Sequence, residues 1–190
     1  NAYREKMVDL SLIYEVKYNS SLPIEKVMNA LLKTGTLVYA EPKYLPKPLF
    51  TPNDPNTATQ YFLTKIQAYA AWDIQKGDTN VVIGITDTGT DLDHPDLVGN
   101  LKYNYTDPID GIDNDGDGYI DNFTGWDLGE NDNIPAVNAN IHGSHVSGCA
   151  AASTDNSTGV AAPGFNCKFL PVKISDASGA LTEAYEGITY

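Results

Sequence analysis

Apolar and polar residues alternate through DLSLIYEVKY (9–18), so that Leu12, Tyr14, Val16 and Tyr18 share one face. That period of two predicts a half-buried strand. Over 23–34 the spacing lengthens: Ile24, Val27, Met28, Leu31 and Leu32 recur at helical intervals, with Pro23 in the first turn and Gly35 past the end. TLVYA (36–40) predicts a second strand. The resulting β-α-β piece is too short to hold a sizeable core alone.

The pattern then breaks. Five prolines fall within 41–57, a density that no regular element survives, so an extended linker is expected. Periodicity resumes with a helix over 62–74, around Ile66, Ala70 and Trp72. VVIGIT (81–86) is continuously apolar, as in a parallel-sheet strand buried on both faces. An irregular acidic loop is expected over about 104–124. A helix of small side chains follows over 142–152, then a strand over 168–174 and a helix starting at 181. Strands alternating with helices predict an α/β fold with an incomplete parallel sheet, helices on both faces. The organisation expected is a small α+β piece over 1–45, a proline-rich linker and N-terminal arm over 46–57, and the larger domain over 58–190.

Composition narrows the function. The net charge of −13 opposes binding to nucleic acid, whose phosphates need Lys and Arg. No run approaches the ~18 apolar residues of a membrane span. The chain opens NAYREK, without Met or an apolar core, and we read that start as a cut. Cys149 and Cys167 are too few for a disulfide scaffold. Cys149, among alanines on a helix, reads as a buried free thiol.

The acid is clustered. Residues 107–121 carry Asp107, Asp110, Asp113, Asp115, Asp117 and Asp121, with no Lys or Arg. Two carboxylates ~5 Å apart repel by roughly 3 kcal/mol at an effective dielectric of ~20, which a bound cation offsets. Asp113, Asp115, Asp117, the Tyr119 carbonyl and Asp121 follow the first nine places of an EF-hand loop, but Thr124 stands where the bidentate Glu belongs. The other reading is a solvated acidic loop.

Two further residues carry candidate chemistry. Asp87 directly follows the apolar run, where open α/β sheets place reactive groups; D-T-G is equally good turn chemistry. His142 opens a helix whose positive end favours the neutral imidazole that a general base requires. A buried structural histidine, or an H-x-x-H metal pair with His145, are the competing readings. His145 suits the buried structural role better, and His94 in DLDHPDL reads as structural.

DTGTDLDHPDL and HGSHVSG resemble the aspartate and histidine motifs of the subtilisin-like serine proteases, the subtilases, and especially their thermitase-like members. TPNDP and DNSTGVAAP extend the resemblance, which covers about 51–190. The usual histidine motif reads HGTHVAG; here Ser144 and Ser147 replace Thr and Ala. The resemblance implies a serine endopeptidase with Asp87 as orienting acid and His142 as general base of an Asp-His-Ser triad. The family's serine motif and its oxyanion-hole Asn do not occur within 1–190, so this stretch alone is expected to be inactive. A C-terminal part would complete the domain, and in a nicked form it would be held noncovalently as a separate chain.

The same resemblance implies more. Ser178, Gly179 and Ala180 match the edge that pairs with a protein or peptide substrate by β-augmentation. Calcium is the implied cofactor, and acidic insertions between the two motifs are common in the family. A second calcium position would use Asp54, Asp96 and Asn156, with backbone oxygens near Thr158 and Val160. Residues 1–45 resemble the end of a propeptide, an intramolecular inhibitor, and TLVYAEPKYLPKP would lie in the cleft before processing within 43–53. The protein is then a secreted or otherwise extracytoplasmic zymogen. The competing reading is a non-catalytic, calcium-dependent binding or scaffold module with a degenerate subtilase fold.

Overall fold

A computed structural model of the chain describes residues 10–43 and 50–190. The chain divides into two compact units, Asn1–Pro48 and Leu49–Tyr190.

In the first unit, α1 (Ile24–Leu32) forms as its apolar spacing predicts, starting immediately after Pro23. The two expected strands do not. Leu10–Leu12 make a 3-10 turn, and neither 13–18 nor 36–40 is a strand. Leu12, Tyr14, Val16 and Tyr18 are all exposed. A strand is stabilised by a neighbour and a covered face, and a piece this small supplies neither. The start of the first expected strand, and residues 44–49 of the linker and of the tail expected to bind in the cleft, lie outside the described residues.

The second unit begins with α2 (Tyr61–Lys65) and α3 (Ala68–Trp72), two short helices where the periodicity predicts one. Gln67 interrupts them in a left-handed conformation, φ 57°. The break lets Leu63, Ala68 and Trp72 meet Ala161 and Phe165 in one apolar cluster, to which Phe50 adds its ring. Phe50 stacks edge-on to Trp72 at 6.4 Å, so the arm after the prolines packs onto this domain rather than linking freely.

The sheet has the order β1-β3-β2, all parallel: β1 is Val82–Asp87, β2 is Trp126–Asp127 and β3 is Lys168–Lys173. The register pairs Asp87 with Lys173, and Lys173 with Asp127. α4 (His142–Ala151) packs on one face, closing a core of Ile85, Leu97, Leu101, Ala151, Ala152, Ala162 and Phe169. Its buried positions are Gly143, Ser147 and Ala151, four residues apart, so Cys149 falls on the opposite side and is exposed, against expectation. Both cysteines are free.

β1 is not buried on both faces. Its second face, Val82, Gly84 and Thr86, stays exposed, although Gly187 at the start of α5 (Glu186–Thr189) comes close to Thr86 and Ile174. α5 begins five residues later than expected, because the amides of Thr182 and Glu183 both reach back to the Ile174 carbonyl. The acidic stretch between Asn100 and Trp126 is irregular, as predicted, with Tyr103, Tyr105 and Phe123 clustered at its base. Among the described residues no helix is long and apolar enough to cross a membrane.

Candidate active site

Asp87 is the last residue of β1, and its backbone carbonyl accepts the Ile174 amide beyond β3. The carboxylate is thereby anchored at the carboxyl end of the sheet. His142 is the first residue of α4, and the helix enters the same end. Nδ1 of His142 lies 2.8 Å from Oδ1 and 3.0 Å from Oδ2 of Asp87. The carboxylate is 14% exposed and the imidazole 63%. A carboxylate so placed selects the tautomer with hydrogen on Nδ1 and leaves Nε2 as an acceptor toward solvent. The ring has no other hydrogen-bond partner among the described residues. Asp87 Oδ1 also accepts the Thr88 amide at 2.7 Å.

The two motifs are tied by more than this pair. The Thr88 hydroxyl donates to the Asn140 carbonyl and accepts the Gly143 amide. The buried hydroxyls of Thr90 and Ser147 are 2.9 Å apart, and Ser144 Oγ accepts the Asp91 amide. Ser144 and Ser147, the two departures from the usual motif, are thus both engaged with the aspartate segment. His145 is exposed rather than buried, with Cys149 Sγ 3.9 Å from either ring nitrogen. His94 takes the structural part expected of it, accepting the Asp96 amide.

Beside the pair, Lys173 and Asp127 form a buried salt bridge, with Glu130 3.7 Å from the ammonium. A lysine within an otherwise apolar strand is the signal that such a partner exists. A buried charge pair of this kind is retained only with close geometry.

Asp54 and Asp96 are both 2% exposed. Asp54 accepts the amides of Asp155 and Asn156, while Asp96 accepts Asn156 Nδ2 and the Val160 amide. Asn156 therefore bridges the two carboxylates, and neither has a cationic side chain among these partners. Thr158 donates its amide to Asn156 Oδ1. Gly159, at φ +51°, makes the cradle: a β-carbon there would lie 2.0 Å from Asp96 Oδ2. Two buried carboxylates without a counter-charge, joined by an amide, suit a hard cation such as calcium.

In the acidic loop, ligand oxygens of Asp107, Asp113 and Asp115 lie within 4.8 Å of one another. Asp107 is fully buried and accepts the amides of Asn114 and Asn122. It stands outside the EF-hand spacing, although it opens the acidic run. Asp117 and Asp121 are not in this group. Asp117 is engaged by the Tyr119 amide and Asn122 Nδ2, and Asp121 by the amides of Asp110 and Gly111. The Asn104 side-chain amide, above all, holds the Asp115 carboxyl below its usual range.

Ser178, Gly179 and Ala180 form a turn around Asp176. Its side chain accepts the amides of Ser178 and Ala180, and its carbonyl the amide of Gly179. All three N–H groups are engaged internally, which leaves this turn without free donors for an added strand. The Ser178 hydroxyl, first among its partners, lowers the Asp176 pKa.

The profile of the subtilase family, peptidase family S8, matches residues 78–190. The chain is 35% identical over 170 residues to a thermophilic serine proteinase of Bacillus sp. (strain AK1), covering 88% of this chain and 37% of that protein. It is 40% identical over 144 residues to thermitase of Thermoactinomyces vulgaris, covering 74% and 43%. It is 31% identical over 169 residues to the halolysin-like extracellular serine protease Nep of Natrialba magadii, covering 87% and 28%. The chain thus spans less than half the length of these relatives. With an aspartate at a strand end, a histidine opening a small-residue helix and a profile match over more than half its length, this chain belongs to the subtilase family.

Proposed function

We propose that the whole protein is a secreted serine endopeptidase of the subtilisin type. His142 acts as general base through Nε2 on a serine supplied from outside residues 1–190. Asp87 fixes the Nδ1–H tautomer and stabilises the imidazolium that forms as the serine attacks the peptide carbonyl. The observation that carries this reading is the 2.8 Å contact between His142 Nδ1 and Asp87 Oδ1, made across 55 positions of sequence. The serines nearest in sequence to His142 are already committed: Ser144 to the Asp91 amide and Ser147 to Thr90. On this reading the 190-residue stretch alone does not hydrolyse peptides. Secretion is supported by the extracellular protease named above among its relatives.

Calcium belongs to the same proposal, as a stabilising ion that neutralises clustered carboxylates. Asp54, Asp96 and Asn156 would hold one ion and tie the N-terminal arm to the domain. Asp107, Asp113 and Asp115 would hold another. Residues 1–45 are proposed to be the end of an inhibitory propeptide, with processing within 43–53 of the proline-rich segment.

The test is a fluorophosphonate probe on the full-length protein freed of residues 1–45, beside a His142→Ala variant in the same form. Labelling of a serine that disappears with His142 supports the endopeptidase. An absence of labelling in the unaltered protein once residues 1–45 have been removed overturns it and leaves a calcium-dependent scaffold.

A further inference from the structure

The residue preceding α4 is Ile141, whose apolar side chain makes no capping hydrogen bond. The amides of a helix's first turn have no intrahelical acceptor and are ordinarily satisfied by a polar side chain at that position. Asn140 Oδ1 takes the first of them, the His142 amide, at 3.0 Å. For the next amide the acceptor comes from far away in sequence. The Gly143 amide donates to Thr88 Oγ1 at 3.0 Å, and the same hydroxyl donates to the Asn140 carbonyl at 2.7 Å. Thr88 is 3% exposed, so water does not replace it. It is also the residue next to Asp87, and its own amide donates to Asp87 Oδ1.

We propose that Thr88 is a positioning residue, capping α4 from a distant segment so that His142 starts the helix in line with Asp87. One hydroxyl grips both sides of His142, at Asn140 and at Gly143, while the same residue's amide orients the carboxylate. Both halves of the Asp87–His142 contact are therefore set by Thr88. The Thr90–Ser147 and Asp91–Ser144 hydrogen bonds fasten α4 further along, beyond the imidazole. The inference rests on the catalytic reading of this pair for its functional meaning, but its physical content is measurable without any nucleophile.

The experiment uses nuclear magnetic resonance on the full-length protein. A neutral imidazole held by a carboxylate gives a slowly exchanging, downfield Nδ1 proton. Thr88→Val removes the hydroxyl and keeps the shape, and the His142 signal is expected to vanish. Thr88→Ser restores the hydroxyl and is expected to restore the signal. Ser144→Ala cuts a hydrogen bond between the same two segments while leaving both contacts of the Thr88 hydroxyl in place, and should keep it. If Thr88→Val does not fold, amide exchange in the unaltered chain decides: the Gly143 amide should exchange about tenfold or more slowly than an unprotected amide. A folded Thr88→Val variant that keeps the wild-type proton, or a Gly143 amide that exchanges freely, overturns the proposal. Failure of the fluorophosphonate test would remove the catalytic reading and leave these resonance results standing.

Discussion

Gly143 and Gly89 approach so closely that a β-carbon on Gly143 would lie 2.2 Å from the Gly89 carbonyl oxygen. The helix bearing His142 and the turn after Asp87 meet backbone to backbone. No side chain intervenes, which allows a 2.8 Å contact between Nδ1 and the carboxylate. Gly143→Ala must push α4 away from that turn. We expect a loss of about 2–3 kcal/mol in urea unfolding, the scale of overpacking against an unyielding neighbour. The His142 Nδ1 proton should weaken with it.

Calcium removal should lower the melting temperature. An ion present at 100 times its dissociation constant stabilises by ~2.7 kcal/mol per site. Asp96→Asn should abolish the part of the shift due to the Asp54–Asp96 position. An identical melting midpoint with and without chelator rules out both sites.

Within the acidic loop, Asp107 and Asp121 should behave differently although both are aspartates of the same run. Asp107→Asn removes a member of the only close trio of acids found among the described residues. It should reduce the number of terbium ions bound, read by tyrosine-sensitised luminescence. Asp121→Asn should leave that stoichiometry intact, because Asp121 lies outside the trio.

Lys173→Met leaves Asp127 buried without its partner. A loss of about 3–5 kcal/mol is expected, since an uncompensated buried charge remains. Replacing both residues, Lys173→Met with Asp127→Asn, should cost less than the single change. Urea unfolding of the four variants as a double-mutant cycle measures the difference.

The turn at 176–180 should be pH-sensitive in one direction. The Asp176 carboxyl is held below its usual value, chiefly by the Ser178 hydroxyl. Its contribution is therefore complete above the ordinary carboxylate range near ~3.9 and is lost as pH falls through the lower folded value. Amide exchange of Ser178 and Ala180 should show a loss of protection in acid and constant protection from neutrality to mild acidity.

Legibility in the sequence follows locality. α4 and β3 are readable because period and small-residue content are carried by consecutive residues. The two strands expected in the first unit fail for the complementary reason: alternation in Leu12, Tyr14, Val16 and Tyr18 describes a face, and all four side chains stay exposed. One expected helix over 62–74 is two because Gln67 adopts a left-handed conformation that its residue type does not announce. His145 and Cys149 are exposed where burial is expected, because their helix packs through Gly143, Ser147 and Ala151 instead. Asp107 escapes the EF-hand spacing because its nearness to Asp113 and Asp115 depends on how the loop folds rather than on alternate positions.

By itself the sequence determined the family, the α/β alternation and the identity of the Asp87 and His142 candidates, since those reside in short contiguous motifs. Only the tertiary structure decided that Thr88 grips the start of α4, that Lys173 is answered by Asp127, and that Asn156 joins Asp54 to Asp96. Each of these is a hydrogen bond or ion pair between groups some 46 to 102 positions apart. Such partners are chosen by how the sheet and helices stack, because a buried polar group must find whatever complementary atom the packing brings within reach.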